Sequence, residues 1–193
     1  MALPSADYRN AMARLGAAVT IVTTDGSAGL HGLTVSAVCS ISDNPATLLV
    51  CINRASRGYA AVRENGVLCV NVLGPGHADL STRFASATAH IDERFSDPNL
   101  WMKMASGCPR LRDATVCLDC KVDRVLDVGT HGMFICEATD VLLGSECSGL
   151  VYFNRGFYGV INSKTKLAQT GLAWLVPALR LRISRSAIRE RGK

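Results

Sequence analysis

GLHGLTVSAVCSISDNPATLLVCINRAS, residues 29–56, packs two glycines into its first four positions, continues through short hydroxyl side chains, turns at Asp43-Asn44-Pro45, and then runs apolar on both faces as TLLVCIN. GLTVSAVCSI reads as one strand rich in small side chains, and TLLVCIN reads as a second strand, buried on both sides. The segment ends in Asn53-Arg54-Ala55-Ser56, where Ser56 is placed to cap a following helix, SRGYAAVREN, that Gly66 stops.

The same punctuation continues on either side. Upstream, ADYRNAMARL reads as a short helix capped by Ser5 and stopped by Gly16, and VTIVTT reads as a strand ending at Asp25-Gly26. Downstream come VLCVNVL as a strand and GPGHADLSTRFA as a turn with a short helix. A polar, irregular stretch from His90 to Arg112 follows, anchored by Trp101 and two Met residues, and then three more strands: TVCLDCKVDRVLDV, GMFICEATDVLLG and LVYFNRGFYGVI. Six or seven strands at hairpin spacing with about three short helices support a mainly β fold, antiparallel and closed into a small barrel. Strands and long helices do not alternate, which disfavours a doubly wound parallel sheet.

Composition sets the outer limits. The chain has 193 residues, 48% hydrophobic and 19% charged, enough for one domain with its own core. Its net charge of +5 is unevenly placed. Residues 1–162 carry 13 Lys and Arg against 15 Asp and Glu, a net of −2, whereas residues 163–193 carry 8 against 1, a net of +7. The body, 1–162, is therefore read as the folded domain, with no basic groove for nucleic acid. Residues 163–193 are read as a basic extension, solvated or loosely docked, because Gly171 and Pro177 interrupt any single helix. The N-terminus lacks a signal-peptide pattern and no apolar run is long enough for a transmembrane segment, so a cytoplasmic location is expected.

The 8 cysteines are expected as thiols, since apolar residues suffice for a core. Cys117 and Cys120 form C-x-x-C, yet on an alternating strand residues three apart point to opposite faces, and no second pair stands at ligand spacing. No metal site is expected. In TVCLDCKVDRV, Asp119, Lys121 and Asp123 read as the polar face. The G-x-G-x-x-G, G-x-x-x-x-G-K-[ST], G-x-S-x-G and H-E-x-x-H patterns are all absent. The histidines are scattered, and no carboxylate pair sits in an apolar segment to act as acid and base.

Against that background the opening segment is the candidate site. Gly29 and Gly32 would let a flat ligand lie against backbone, Thr34, Ser36 and Ser40 share strand parity, and the Ser56 cap leaves amides and a hydroxyl facing an anion. These features suit a planar, polar-edged ring joined to a phosphate. A half-exposed strand followed by an ordinary helix cap accounts for them equally, and the residues alone leave both readings open.

GLTVSAVCSISDNPATLLVCINRAS also resembles the signature region of the flavin reductase family with the FMN-binding split-barrel fold, in which G-x-T-x-S-[AS] precedes S-[VI]-S-x-x-P-x-x-L-x-V-C. The later VLCVNVL, LSTRFAS, CPRL, GTHGMFICE and LVYFNRGFYG stand in that family's order, so the resemblance covers about residues 8–161. It is strongest toward reductase components of two-component monooxygenases, of the pyrimidine-utilisation or 4-hydroxyphenylacetate type. The resemblance implies a homodimer in which each barrel holds FMN, with FAD or riboflavin as substitutes. NADH or NADPH is the implied hydride donor and a separate monooxygenase the recipient of reduced flavin. It places Thr34, Ser36 and Ala37 along the isoalloxazine edge, and Asn53, Ser56, Arg83 and Phe84 around the ribityl chain and phosphate. It assigns His131 to the nicotinamide, and Tyr158 to the strand that closes the site. Thr130 stands where the family often has Asp. A flavin-binding module without turnover, and a flavoenzyme of the same fold acting on its own substrate, are the competing expectations.

Overall fold

The computed structural model describes residues 3–145 and 147–161; the basic extension expected over 163–193 lies outside the described residues. In chain order the elements are α1 (Ser5–Met12), β1 (Ala17–Ala18), β2 (Thr20–Thr24), β3 (His31–Val35), β4 (Val38–Asp43), β5 (Ala46–Asn53), α2 (Arg57–Asn65) and β6 (Val67–Val72). A 3-10 turn (Pro75–His77) then leads to α3 (Ala78–Ala85), α4 (Ile91–Arg94), β7 (Trp101–Lys103), β8 (Pro109–Leu111), β9 (Val116–Val128), β10 (His131–Leu143), β11 (Ser148–Phe153) and β12 (Gly156–Ile161).

Seven strands form one antiparallel sheet in the order β3-β2-β6-β9-β10-β5-β4. Its two edge strands are consecutive in the chain. GLTVSAVCSI is therefore two strands and not one: β3 pairs with β2, β4 pairs with β5, and the chain crosses between the sheet's edges at Ser36-Ala37. The Ala37 carbonyl accepts the Cys51 amide at 2.9 Å, carrying the β4–β5 ladder up to the crossing, and the direct passage from one edge strand to the other brings β3 beside β5 and curls the sheet into a barrel. A second sheet, β1-β11-β12, and the β7-β8 hairpin complete the strands. LVYFNRGFYGVI, read as one strand, is the β11-β12 hairpin, turned at Asn154 and Arg155 with φ of 46° and 66°.

The central strands are buried on both faces. Ile21, Cys69 and Cys117 join one core with Leu80, Phe84 and Leu111, while Val22, Leu68, Val70 and Cys120 join another with Val50, Ile52 and Phe134. Cys117 and Cys120 thus face opposite sides, as strand parity requires. Asp119 departs from the expected polar face: it is 1% exposed. Its carboxylate accepts the Ser106 amide at 3.0 Å and the Ser106 hydroxyl at 2.5 Å. The loop of the β7-β8 hairpin supplies Ser106, so the stretch read as polar and irregular carries a hairpin that buries this face of β9, and Asp119 pins it there.

At the N-terminus Pro4, not Ser5, occupies the α1 cap position, and that helix ends at Met12, before Gly16. For α2 the expectation holds closely: the Ser56 hydroxyl accepts the Tyr59 amide and Gly66 ends the helix with φ of 69°.

Candidate functional site

A cleft of about 770 Å³ opens where the β3–β4 crossing, the end of β5, the start of α2 and the exit of α3 converge. Thr34, Ser36 and Ala37 line it from the crossing, and Asn53, Ser56, Phe84 and His131 line it from the other elements. His131 reaches the cleft because it faces Asn53 across the β10–β5 ladder. Its Nδ1 lies 2.9 Å from the Thr130 hydroxyl, so the residue found where Asp was expected gives the imidazole its partner.

Two expected residues stay apart. Arg83 is exposed on α3 and Tyr158 is exposed on β12 in the second sheet; neither borders the cleft. Ser40 also lies outside its lining, because the strand break at Ser36-Ala37 separates it from Thr34.

The site's small residues and hydroxyls are largely committed to the protein itself. Gly29, with φ of 81°, serves a turn, with nothing within 4 Å of a Cβ built on it. On Gly32 a Cβ would stand 2.6 Å from Phe84 and 3.0 Å from Phe95, so its bareness admits an aromatic pair rather than a ligand. Those rings, with Trp101, form a tilted and edge-on stack at centroid distances of 5.2, 5.5 and 4.8 Å. Thr34 donates its hydroxyl to the Ser81 carbonyl at 2.6 Å. Ser56 donates to the Asn53 carbonyl at 2.7 Å while accepting from Tyr59. A hydroxyl has one donor, so in this arrangement Ser56 has none left for a phosphate.

Three further residues that the sequence reading passed over stand at one corner of the cleft: His31, Arg57 and Arg94. Arg94 is only 7% exposed. Its Nη1 donates to the Gly32 carbonyl and its Nη2 to the Ser86 carbonyl, spanning from β3 to the chain leaving α3. His31 accepts the Gly32 amide on Nδ1 at 3.0 Å, so in the neutral ring Nε2 carries the proton. Burial, then the charges of Arg94 and Arg57, hold His31 below the usual histidine value. A sequence signal existed for one of them. Arg57 follows the Ser56 cap directly, and a cation in the first turn opposes the helix dipole unless an anion joins it. Nothing local marks Arg94 in IDERF as buried.

The residues fit a flavin nucleotide in size and chemistry. The cleft lies within the range for small-molecule and cofactor sites, and its lining joins an apolar wall to a corner of cationic donors. The description "Flavin reductase like domain" applies to residues 12–160. The chain belongs to this flavin reductase family. Among relatives, it is 51% identical over 158 residues to a Variovorax paradoxus (strain S110) protein named FMN reductase (NADH) RutF, covering 82% of this chain and 87% of that one. Among solved structures, BorF, the flavin reductase component of a bacterial two-component tryptophan halogenase, superposes with a TM-score of 0.77 at 25% identity, over 82% of this chain and 99% of BorF. The styrene monooxygenase flavin reductase of Pseudomonas putida S12 gives 0.70 at 25% identity, over 79% and 96%. The family's split barrel is the closed antiparallel sheet described above.

Proposed function

We propose that the chain is an NADH-dependent FMN reductase that supplies reduced flavin to a separate monooxygenase. The observation that carries the reading is the convergence of the β3–β4 crossing, the α2 cap and His131 on one cleft, in a chain half identical to a relative named for this reaction. When bound, the flavin would supply the hydride acceptor for the reduced nicotinamide.

The protein's share of the work is binding and orientation. Thr34, held by its bond to Ser81, fixes the crossing strand, and Ser36 and Ala37 form the cleft's edge there. The Asn53 carboxamide oxygen accepts the Ala55 amide at 2.9 Å, leaving its amide nitrogen to donate into the cleft. His131, exposed at the rim with Nδ1 on Thr130, offers Nε2 to the dinucleotide. No acid, base or nucleophile of the chain is needed for hydride transfer, in keeping with a lining where Glu64 is the lone carboxylate among the described residues.

The assembly we propose is a homodimer in the cytoplasm. Phe157, Tyr158, Val160 and Ile161 on β12 are 41–57% exposed, as is Phe153 on β11 at 43%. Apolar side chains at this density on a strand hairpin suit contact with a second copy. No helix among the described residues is long and apolar enough to cross a membrane.

The test is steady-state oxidation of NADH and of NADPH with FMN, FAD and riboflavin as acceptors. NADH turnover that depends on added FMN supports the reading; oxidation of neither dinucleotide with any flavin overturns it.

A further inference from the structure

The turn that presents His131 is fastened from behind, by side chains on its far side from the cleft. β9 and β10 pair up to Val128 and His131, which leaves Gly129 and Thr130 as a two-residue turn, with φ of 55° at Gly129. Arg54 grips this turn twice. Its amide donates to the Thr130 carbonyl at 2.9 Å, and its Nη1 donates to the Gly129 carbonyl at 3.3 Å. Asp127, next to Val128 on β9, holds Arg54 in its turn, with Oδ2 3.7 Å from the Arg54 Nε. The other Asp127 oxygen accepts the Tyr59 hydroxyl of α2 at 2.7 Å, and that hydroxyl accepts a bond from Arg63 Nη1 at 2.9 Å. Tyr59 reaches across because Gly132, paired with Asp127, has no side chain; a Cβ there would collide with the phenol ring.

Magnitudes single out one bond in this network. The side chains of Arg54 and Arg63 are 48% and 57% exposed, and ion pairs so exposed, at 3.7 Å, contribute little. The bond from the Tyr59 hydroxyl is short, charge-assisted and partly buried, so it is the firm contact. Asp127 borders neither the cleft nor the hollow of about 400 Å³ between Arg54, Tyr59 and Thr130. It therefore meets no cofactor and acts on one only through the turn.

We propose that Asp127 is a positioning residue for His131. Anchored on Tyr59, it holds Arg54, and Arg54 holds the Gly129-Thr130 turn whose Thr130 hydroxyl engages the imidazole. Because His131 also faces Asn53 across the β10–β5 ladder, the clamp sets the imidazole and the α2 cap as one unit. The assignment rests on the reductase reading, in which His131 is the group offered to NADH.

The experiment compares wild type with Asp127→Ala, Asp127→Asn and Tyr59→Phe, and with His131→Ala alone and combined with Asp127→Ala. Two readouts are taken: amide hydrogen exchange in the ligand-free protein, and NADH kinetics beside FMN titrations. Asp127→Ala is expected to speed exchange of the Arg54 amide, which bonds to the turn, while the Tyr59 amide on the Ser56 cap keeps its wild-type rate. The KM for NADH should rise up to about tenfold, the worth of one hydrogen bond, with kcat changing less and FMN affinity holding. Asp127→Asn still accepts from Tyr59 and should restore most of both readouts. Tyr59→Phe keeps the ring against Gly132 but loses the bond, and should reproduce Asp127→Ala. Added to His131→Ala, Asp127→Ala should raise the KM no further, since both act through one imidazole.

Unchanged exchange at Arg54, an unchanged KM, an additive double variant, or FMN affinity falling in step with the KM each overturns the proposal. A wild-type chain that oxidises no NADH with FMN overturns the reductase reading and this role with it. That result is distinct from any difference among the variants, and exchange at Arg54 still decides whether Asp127 holds the turn.

Discussion

The two walls of the cleft are held by different means. On one side, Asn53 to Tyr59 organise themselves: Ser56 bonds Asn53 and Tyr59, and Asn53 bonds Ala55, all within three residues along the chain. On the other, Thr34 reaches Ser81 across 47 residues, and Arg94 reaches Gly32 across 62. The first wall forms from local chemistry and tolerates the loss of a single bond. The second exists only once the barrel has closed and α3 and α4 have docked, so each of its contacts supports several elements.

The largest effect is expected from Arg94→Met. It leaves the Gly32 and Ser86 carbonyls without their donors at a buried junction, and unfolding free energy should fall by about 3 kcal/mol in denaturant titration. A loss below about 0.5 kcal/mol, the ordinary surface value, would break the comparison.

Gly32→Ala comes next. The added methyl meets Phe84 at 2.6 Å, and overpacking of this kind costs about 1–3 kcal/mol, visible as a lowered melting temperature. An unchanged melting temperature would show that the Phe84–Phe95–Trp101 stack gives way freely.

Thr34→Val should cost about 1 kcal/mol by removing the bond to Ser81. Ser56→Ala should cost less, about 0.5 kcal/mol, through the α2 cap alone, since the Tyr59 amide also reaches the Ser56 carbonyl at 3.1 Å. Because its donor is already engaged, FMN and riboflavin should bind that variant with the same ratio as wild type. A selective loss of FMN affinity would return the phosphate to Ser56 and sharpen the account of the local wall.

The smallest effect concerns pH. Burial holds both His31 and His77 below the histidine value of 6.5, with Asp113 partly opposing this at His77. The unfolded chain therefore binds protons that the folded chain resists. The stability linked to these groups is complete above pH 6.5 and is lost as pH falls through their lowered values. His31→Gln should flatten the decline measured by thermal melts between pH 7 and 5, and an identical slope would remove His31 from it.

Much of the architecture was legible in sequence because its signals are local. The Ser56 cap, the Gly66 stop and the hairpin spacing need only neighbouring residues to be recognised, and of the seven expected residues in the cleft the family resemblance reaches five through one contiguous signature, Phe84 through LSTRFA and His131 through GTH. What escaped was long-range. Nothing within GLTVSAVCSI indicates that β3 and β4 pair with different strands, since small residues alternate through the crossing as they would through one strand. Asp119 looked solvent-facing because its cover, Ser106, lies in a loop whose hairpin carries little periodicity. Arg94 looked like any surface arginine between acids. Gly32 was the instructive error: its lack of a side chain makes room for protein, not for a ligand.

The most direct test of the central claim is the absorbance of oxidised FMN mixed anaerobically with the protein, followed after NADH is added. The account predicts rapid loss of the oxidised-flavin band, with return on admitting dioxygen. Persistence of the band with bound flavin and excess NADH would contradict it and leave a flavin-binding barrel without reductase activity.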